Sequence, residues 1–345
     1  MLNRFFKVCL LTVGLCLGAV AVSAQTFSPD GKQILFPHYD TLGNSVQAVI
    51  NTDGTGLTTL PDSLGSVVAK WSPNSKYVLF GNADREVKLY QFKTGKTKLI
   101  ARNVEPPFAW REDSASFAGV LVSKDKKTLL ETRELCRFDR DGYPMGRIHL
   151  GDIRLAPFAP LIWIPSTDEQ IFMTNDKASI NAYMTDSTQF RKVSSSNDLI
   201  GMGRVGNTQE VVWARKGPNL RYILMTLYRF NTAVSSVLRL NFPERIPALN
   251  PDPRHAPDSI VSVRFSPDGT RLILIAHLTE PQKSLYYAYT MKTDGSEVYL
   301  VDKYATPPDF LYSWSPDGQR LTWMWKSKLM IGNLDGAGKM KLLTQ

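Results

Sequence analysis

Cysteine is scarce in this chain, and its placement makes it scarcer still. Of 3 cysteines in 345 residues, Cys9 and Cys16 lie in the first two dozen positions, which leaves Cys136 alone in the remainder. A single thiol excludes an internal disulfide and a cysteine zinc site, so stability has to come from packing. Histidine is almost as rare. His38, His149, His255 and His277 are the only four, and no two stand at metal-ligand spacing. Only residues brought together from distant parts of the chain would make a metal site, and no metal or cofactor is expected. Also missing are a Gly-x-Ser-x-Gly elbow, a His-Glu-x-x-His pair and a phosphate-cradling glycine loop, each of which marks a catalytic class.

Long apolar runs are missing too, with one exception at the start. Arg4 and Lys7 precede an apolar stretch from Val8 to Val22, and Val22-Ser23-Ala24 follows the small-residue pattern of a cleavage site. Residues 1–24 therefore read as a signal peptide, with a single domain over 25–345. The stretch is shorter than the roughly 20 residues a spanning helix needs, although the sequence leaves open whether it is cleaved or kept as an anchor. The expected location is periplasmic or secreted, with no transmembrane segment after cleavage. Formal charge is +9 for the whole chain and +7 without Arg4 and Lys7. This balance mildly favours anionic partners, and nucleic acid is not expected for an exported protein.

What the chain does have is a repeated phrase. Phe27-Ser28-Pro29-Asp30-Gly31, Trp71-Ser72-Pro73-Asn74-Ser75, Phe265-Ser266-Pro267-Asp268-Gly269 and Trp314-Ser315-Pro316-Asp317-Gly318 share an aromatic residue followed by a type I turn. Serine hydrogen-bonds at the first turn position, proline presets φ at the second, and glycine accepts a positive φ at the last. A β-forming run follows each time: Gln33 to Phe36, Tyr77 to Phe80, Arg271 to Ala276 and Arg320 to Trp325. A third strand then ends in its own turn, as at Asp53-Gly54, Thr94-Gly95, Asp294-Gly295 and Asp335-Gly336. With a short fourth strand, each unit is an antiparallel meander.

Weaker units open at Trp110, Trp163 and Gly203, which brings the total to seven. A four-stranded sheet that is apolar on both faces must be covered on both, and radial stacking does so. The fold predicted is an all-β propeller of seven four-stranded blades, with six or eight as alternatives. The aromatic-Ser-Pro-Asp-Gly hairpin and the later Asp-Gly turn resemble the WD-like repeats of TolB-type propellers, and also the propellers of the prolyl-oligopeptidase group. The resemblance implies a fold more than a function. The α/β domain that precedes the repeats in TolB has no counterpart in this sequence, and neither has a hydrolase domain.

The aspartates of the turns are demanded by turn geometry and are not read as metal ligands or catalytic carboxylates. Binding candidates come from the loops. In an antiparallel blade the second-to-third link shares an end with the link to the next blade. Loops at that end carry more basic than acidic residues, among them Lys126, Lys127, Arg215, Lys216 and Lys326. His38 and Tyr39 belong to a polar loop after the second strand of the first blade, at the same end. The insertion over 242–258, with five prolines, adds Arg245, Arg254 and His255. These ten residues form the expected binding surface. The expected function is noncatalytic: a monomer that docks an envelope protein or an anionic polymer through one propeller face. The alternative is a propeller lyase or hydrolase acting on a saccharide or peptide at the channel mouth.

Overall fold

The computed structural model describes residues 26–151, 153, 155, 161–164, 167, 169–173, 179–184, 191–195, 199–205, 208–216, 222–229, 234–241, 259–280, 283–304, 312–325, 328–334 and 341–343. Among them are seven four-stranded antiparallel sheets and no helix, and each sheet is built from four consecutive strands. The protein is a β-propeller.

The sheets are blades of one ring, as their apolar cores show. Successive residues of a strand point to opposite faces. In the second strand of the first blade, Ile34 and Phe36 therefore pack towards the last blade, in a cluster with Leu329, Ile331 and Leu343. Leu35 faces the other way and joins Val49 and Leu60 against Trp71, Val78 and Phe80 of the second blade. The same arrangement recurs between the second and third blades, third and fourth, fourth and fifth, fifth and sixth and sixth and seventh. Each sheet is covered on both sides, which explains the unbroken apolar runs of its second strands.

Every blade starts with the same step. The last residue of its first strand pairs with the residue seven positions on: Phe27 with Ile34, Trp71 with Val78, Trp110 with Phe117, Trp163 with Gln170, Arg204 with Val211, Phe265 with Leu272, and Trp314 with Leu321. The turn between them closes by an amide donating to a carbonyl three residues back, from Gly31 to Ser28 at 2.8 Å and, in the weak fifth unit, from Thr208 to Val205 at 3.1 Å. The fourth turn position has positive φ at Gly31 (71°), Gly269 (72°) and Gly318 (68°), and also at Ser75 (57°) and Ser114 (58°). Those two serines exploit their place: Asp30 N donates to Ser75 Oγ at 3.2 Å and Asn74 N to Ser114 Oγ at 3.1 Å. Each links its turn to the turn of the preceding blade.

Among the described residues, no strand is exchanged between the first and last blades. Side chains close the ring instead. The Arg320 guanidinium donates to Gly31 O at 3.3 Å and lies over the Phe27 ring, 5.5 Å from its centroid.

Candidate functional site

The turn phrase performs one structural task. Asp30, Asp53, Asp113, Asp268, Asp294 and Asp317 each accept the backbone N–H two residues on, at 2.8 to 3.2 Å. Ser28 and Ser266 are wholly buried, and each donates to the aspartate of its own turn at 2.6 Å. These carboxylates are used up in holding hairpins.

The opposite end carries the links from second to third strands, and there the expected residues stand on three different blades. On the first, His38 and Tyr39 are strand rather than loop residues, because Gln33–Tyr39 pairs on to Ser45, and the His38 ring meets Phe36 edge-on at 5.8 Å. Its neighbour Tyr39 is 59% exposed. Asp40 organises the loop by accepting from Leu42 N and Asn44 N at 2.9 and 2.8 Å. The Asn44 backbone bond is the largest of several that lower its pKa.

On the third blade, the hairpin between strands Ser116–Lys124 and Glu131–Asp139 carries Lys126 and Lys127, both exposed. Asp125 holds its tip by accepting from Lys127 N at 2.9 Å and Thr128 N at 2.6 Å. Leu129 and Leu130 follow, 63% and 68% exposed. On the fifth blade, Arg215 and Lys216 are strand rather than link residues, because the ladder of Glu210–Lys216 continues until Lys216 pairs with Ile223. Arg245, Arg254, His255 and Lys326 lie outside the described residues.

The excess of positive charge expected at this end is partly cancelled. Arg85, in the second blade's link, bonds Glu105 at 2.9 Å and Glu131 at 2.9 Å. Arg133 bonds the same two carboxylates at 3.3 and 3.1 Å, which closes a ring of four charges. The bond from Glu131, followed by Glu105, raises the pKa of Arg85, and Arg85 lowers that of Glu131. Counting loop residues alone overlooked both glutamates, which stand at strand ends on the same face.

A second set of charges lies at the centre. First strands touch between the second and third, third and fourth, fifth and sixth, and seventh and first blades, which puts them on the inner side of the ring. Lys70, on Ser66–Trp71, is accessible to water yet enclosed by protein. Enclosure pulls its pKa down to about 8, with the charge of Arg264 as the second cause. Arg264 belongs to the sixth blade's first strand, Ser259–Phe265, and donates to Tyr312 O at 3.0 Å. Blades two and six are not neighbours in the ring. Nearby in the repeat, Arg204 takes the place that an aromatic residue fills in the other six blades. Burial lowers its pKa, and Glu112 of the third blade opposes that shift.

None of these channel residues was singled out from the sequence. The available signal is positional: Lys70 immediately precedes Trp71, and Arg264 immediately precedes Phe265. Cys136 is buried, and burial pushes its thiol up to about 12, so it is no nucleophile at neutral pH. Among the described residues, no group of three or more His, Cys, Asp or Glu side chains is arranged to hold a metal ion.

Compared by sequence, the chain matches no family model and no curated protein. Compared by structure, it is similar to an oligogalacturonate lyase in complex with manganese, at TM-score 0.64 and 13% identity, over 92% of this chain and 87% of that one. The oligogalacturonate lyase of Vibrio parahaemolyticus gives TM-score 0.64 and 11% identity, over 93% and 88%. TolB from Acinetobacter baumannii gives 0.48 and 13%, over 90% and 63%. At such identities the two lyases support the propeller architecture of this chain and nothing finer.

Proposed function

We propose that the protein is an exported, noncatalytic binding propeller that docks an envelope protein through the face bearing its second-to-third strand links. The observation that carries this reading is the third-blade hairpin. It offers adjacent exposed leucines, Leu129 and Leu130, beside Lys126 and Lys127. Tyr39, Leu42 and Leu64, all exposed, occupy the same end of the ring. Exposed apolar side chains beside charged ones at one end of the ring suit a protein partner. Export rests on the pattern of residues 1–24. Capture from native envelope extract tests the proposal. The Leu129→Ser/Leu130→Ser variant should lose a partner that the wild type and Tyr143→Ser retain, Tyr143 being exposed at the other end. Equal recovery with all three proteins would refute it.

One observation favours a second reading, a propeller enzyme acting on a saccharide or peptide at the channel mouth. Lys70 is enclosed, and its pKa near 8 keeps a share of free amine at neutral pH, a property common at active sites. Incubation with oligogalacturonate, named for the two lyases, tests it directly. Double-bond absorbance growing with time, and lost in Lys70→Met, would support the enzyme.

A further inference from the structure

The third-blade hairpin offers more than a point of contact, because its side chains define the chemistry of what fits it. Strands Ser116–Lys124 and Glu131–Asp139 pair up to the tip, where the last rung sets Lys124 opposite Glu131. The two do not form an ion pair. The Glu131 carboxylate turns instead to Arg85 at 2.9 Å and to Arg133 at 3.1 Å, and with Glu105 the charges of that ring cancel. Asp125 is occupied as well, by Lys127 N, Thr128 N and the Thr128 hydroxyl at 2.6 to 2.9 Å. Lys124, Lys126 and Lys127 are exposed, and among the described residues none of them has an acidic partner.

Two backbone bonds fix the tip: Asp125 N donates to Leu130 O and Leu129 N to Asp125 O, each at 3.0 Å. Leu129 is held at φ 59°, a left-handed conformation that few residues other than glycine adopt. A tip fixed before contact loses less conformational entropy when it binds. It presents the three lysines together with Leu129 and Leu130, which are 63% and 68% exposed.

We propose that this hairpin binds an acidic polypeptide segment, in which Asp or Glu side chains are interspersed with apolar ones. The proposal rests on the docking reading above and names the chemistry of the partner. Lysines without a counter-charge attract carboxylates and steer the encounter. The leucines need apolar area to cover them, which a uniformly charged polymer lacks. Exposed charges are screened beyond about 8 Å at physiological ionic strength, so the lysine contribution falls with salt and the leucine contribution stays.

A phage-displayed library of random dodecapeptides, selected on the purified protein, supplies the probe. Enriched peptides are synthesised, and their affinity is measured by fluorescence anisotropy beside that of polyglutamate, which carries charge without apolar side chains. The expected peptides are rich in Asp and Glu and also in Leu, Ile and Phe. Lys124→Met/Lys126→Met/Lys127→Met should weaken them about tenfold or more at low salt and less at high salt. Leu129→Ser/Leu130→Ser should weaken them about tenfold at both. Lys32→Met/Lys93→Met/Lys96→Met removes the same charge from exposed positions at the opposite end and should leave affinity within about twofold. Enrichment of neutral or basic peptides, no enrichment, equal binding by all variants, or polyglutamate bound as tightly as the peptides would overturn the proposal. Selection uses no envelope material, so its failure leaves the capture experiment to decide docking by itself.

Discussion

The Trp71 indole donates to the backbone carbonyl of Thr26 at 3.2 Å, across the boundary between the first and second blades. Trp110 repeats this one blade later by donating to Lys70 O. The aromatic residue of the repeat thus fills an inter-blade core and also satisfies a carbonyl on the channel wall. Trp71→Phe retains most of the packing and removes the donor. It should cost about 1–3 kcal/mol, combining the lost bond with a small void. Urea unfolding of wild type and variant measures it, and a change below a few tenths would argue against the indole bond.

Phe108 packs against two glycines that stand in place of side chains. A Cβ on Gly81 of the second blade would lie 2.9 Å from the Phe108 ring, and one on Gly119 would lie 2.9 Å from Val104 and 3.1 Å from Phe108. Neither is a positive-φ position, so the constraint is space. Gly81→Ala should destabilise by about 1–3 kcal/mol through overpacking. Gly81→Ala combined with Phe108→Leu should lose less than the sum of the single changes, as contacting residues do. Strict additivity in chemical denaturation would contradict this packing.

The turn aspartates give the fold an acid dependence. Burial would raise the pKa of Asp268, but the bonds from the Ser266 and Thr270 hydroxyls and from Thr270 N outweigh it, and the net shift is down from 3.8. A carboxylate with a depressed folded pKa adds stability above its unfolded value, and that contribution disappears as pH falls through the folded one. Ser266→Ala should raise the Asp268 pKa measured by NMR. Asp268→Asn should make stability less steeply dependent on pH below about 4. A pKa for Asp268 unmoved by loss of the Ser266 hydroxyl would exclude this role.

Ring closure without strand exchange predicts where the molecule opens first. Between the first and last blades, Arg320 reaches Gly31 O and covers Phe27, beside a shared apolar cluster. Hydrogen exchange should be faster in Tyr312–Trp314 than in Ser66–Trp71, and Arg320→Ala should widen the gap. Uniform protection around the ring, unaffected by that substitution, would show the seam to be as tight as any other interface.

The blades were readable because their signals are local. Ser-Pro-Asp-Gly states a turn within four residues, and even the degenerate fifth unit has its second and third strands starting at Glu210 and Tyr222 as expected, although Arg204 replaces the aromatic residue. Strand ends were less readable. Arg215 and Lys216 looked like link residues, because nothing before them signals that the ladder runs on to Ile223. The channel was unreadable for another reason: first strands meet only when the ring closes, as where Ser66–Trp71 touches Val104–Trp110. The same holds for the Arg85, Glu105, Arg133 and Glu131 ring, assembled from two blades.

The central claim is that partners are engaged at the end of the propeller where Leu130 is exposed. A photo-crosslinking amino acid at position 130, and in a second protein at position 143 on the opposite end, measures this in the native envelope. The account predicts a discrete adduct of one partner from position 130, competed away by excess unlabelled wild-type protein, and none from position 143. Adducts from position 143 alone, or the same adducts from both positions, would contradict it.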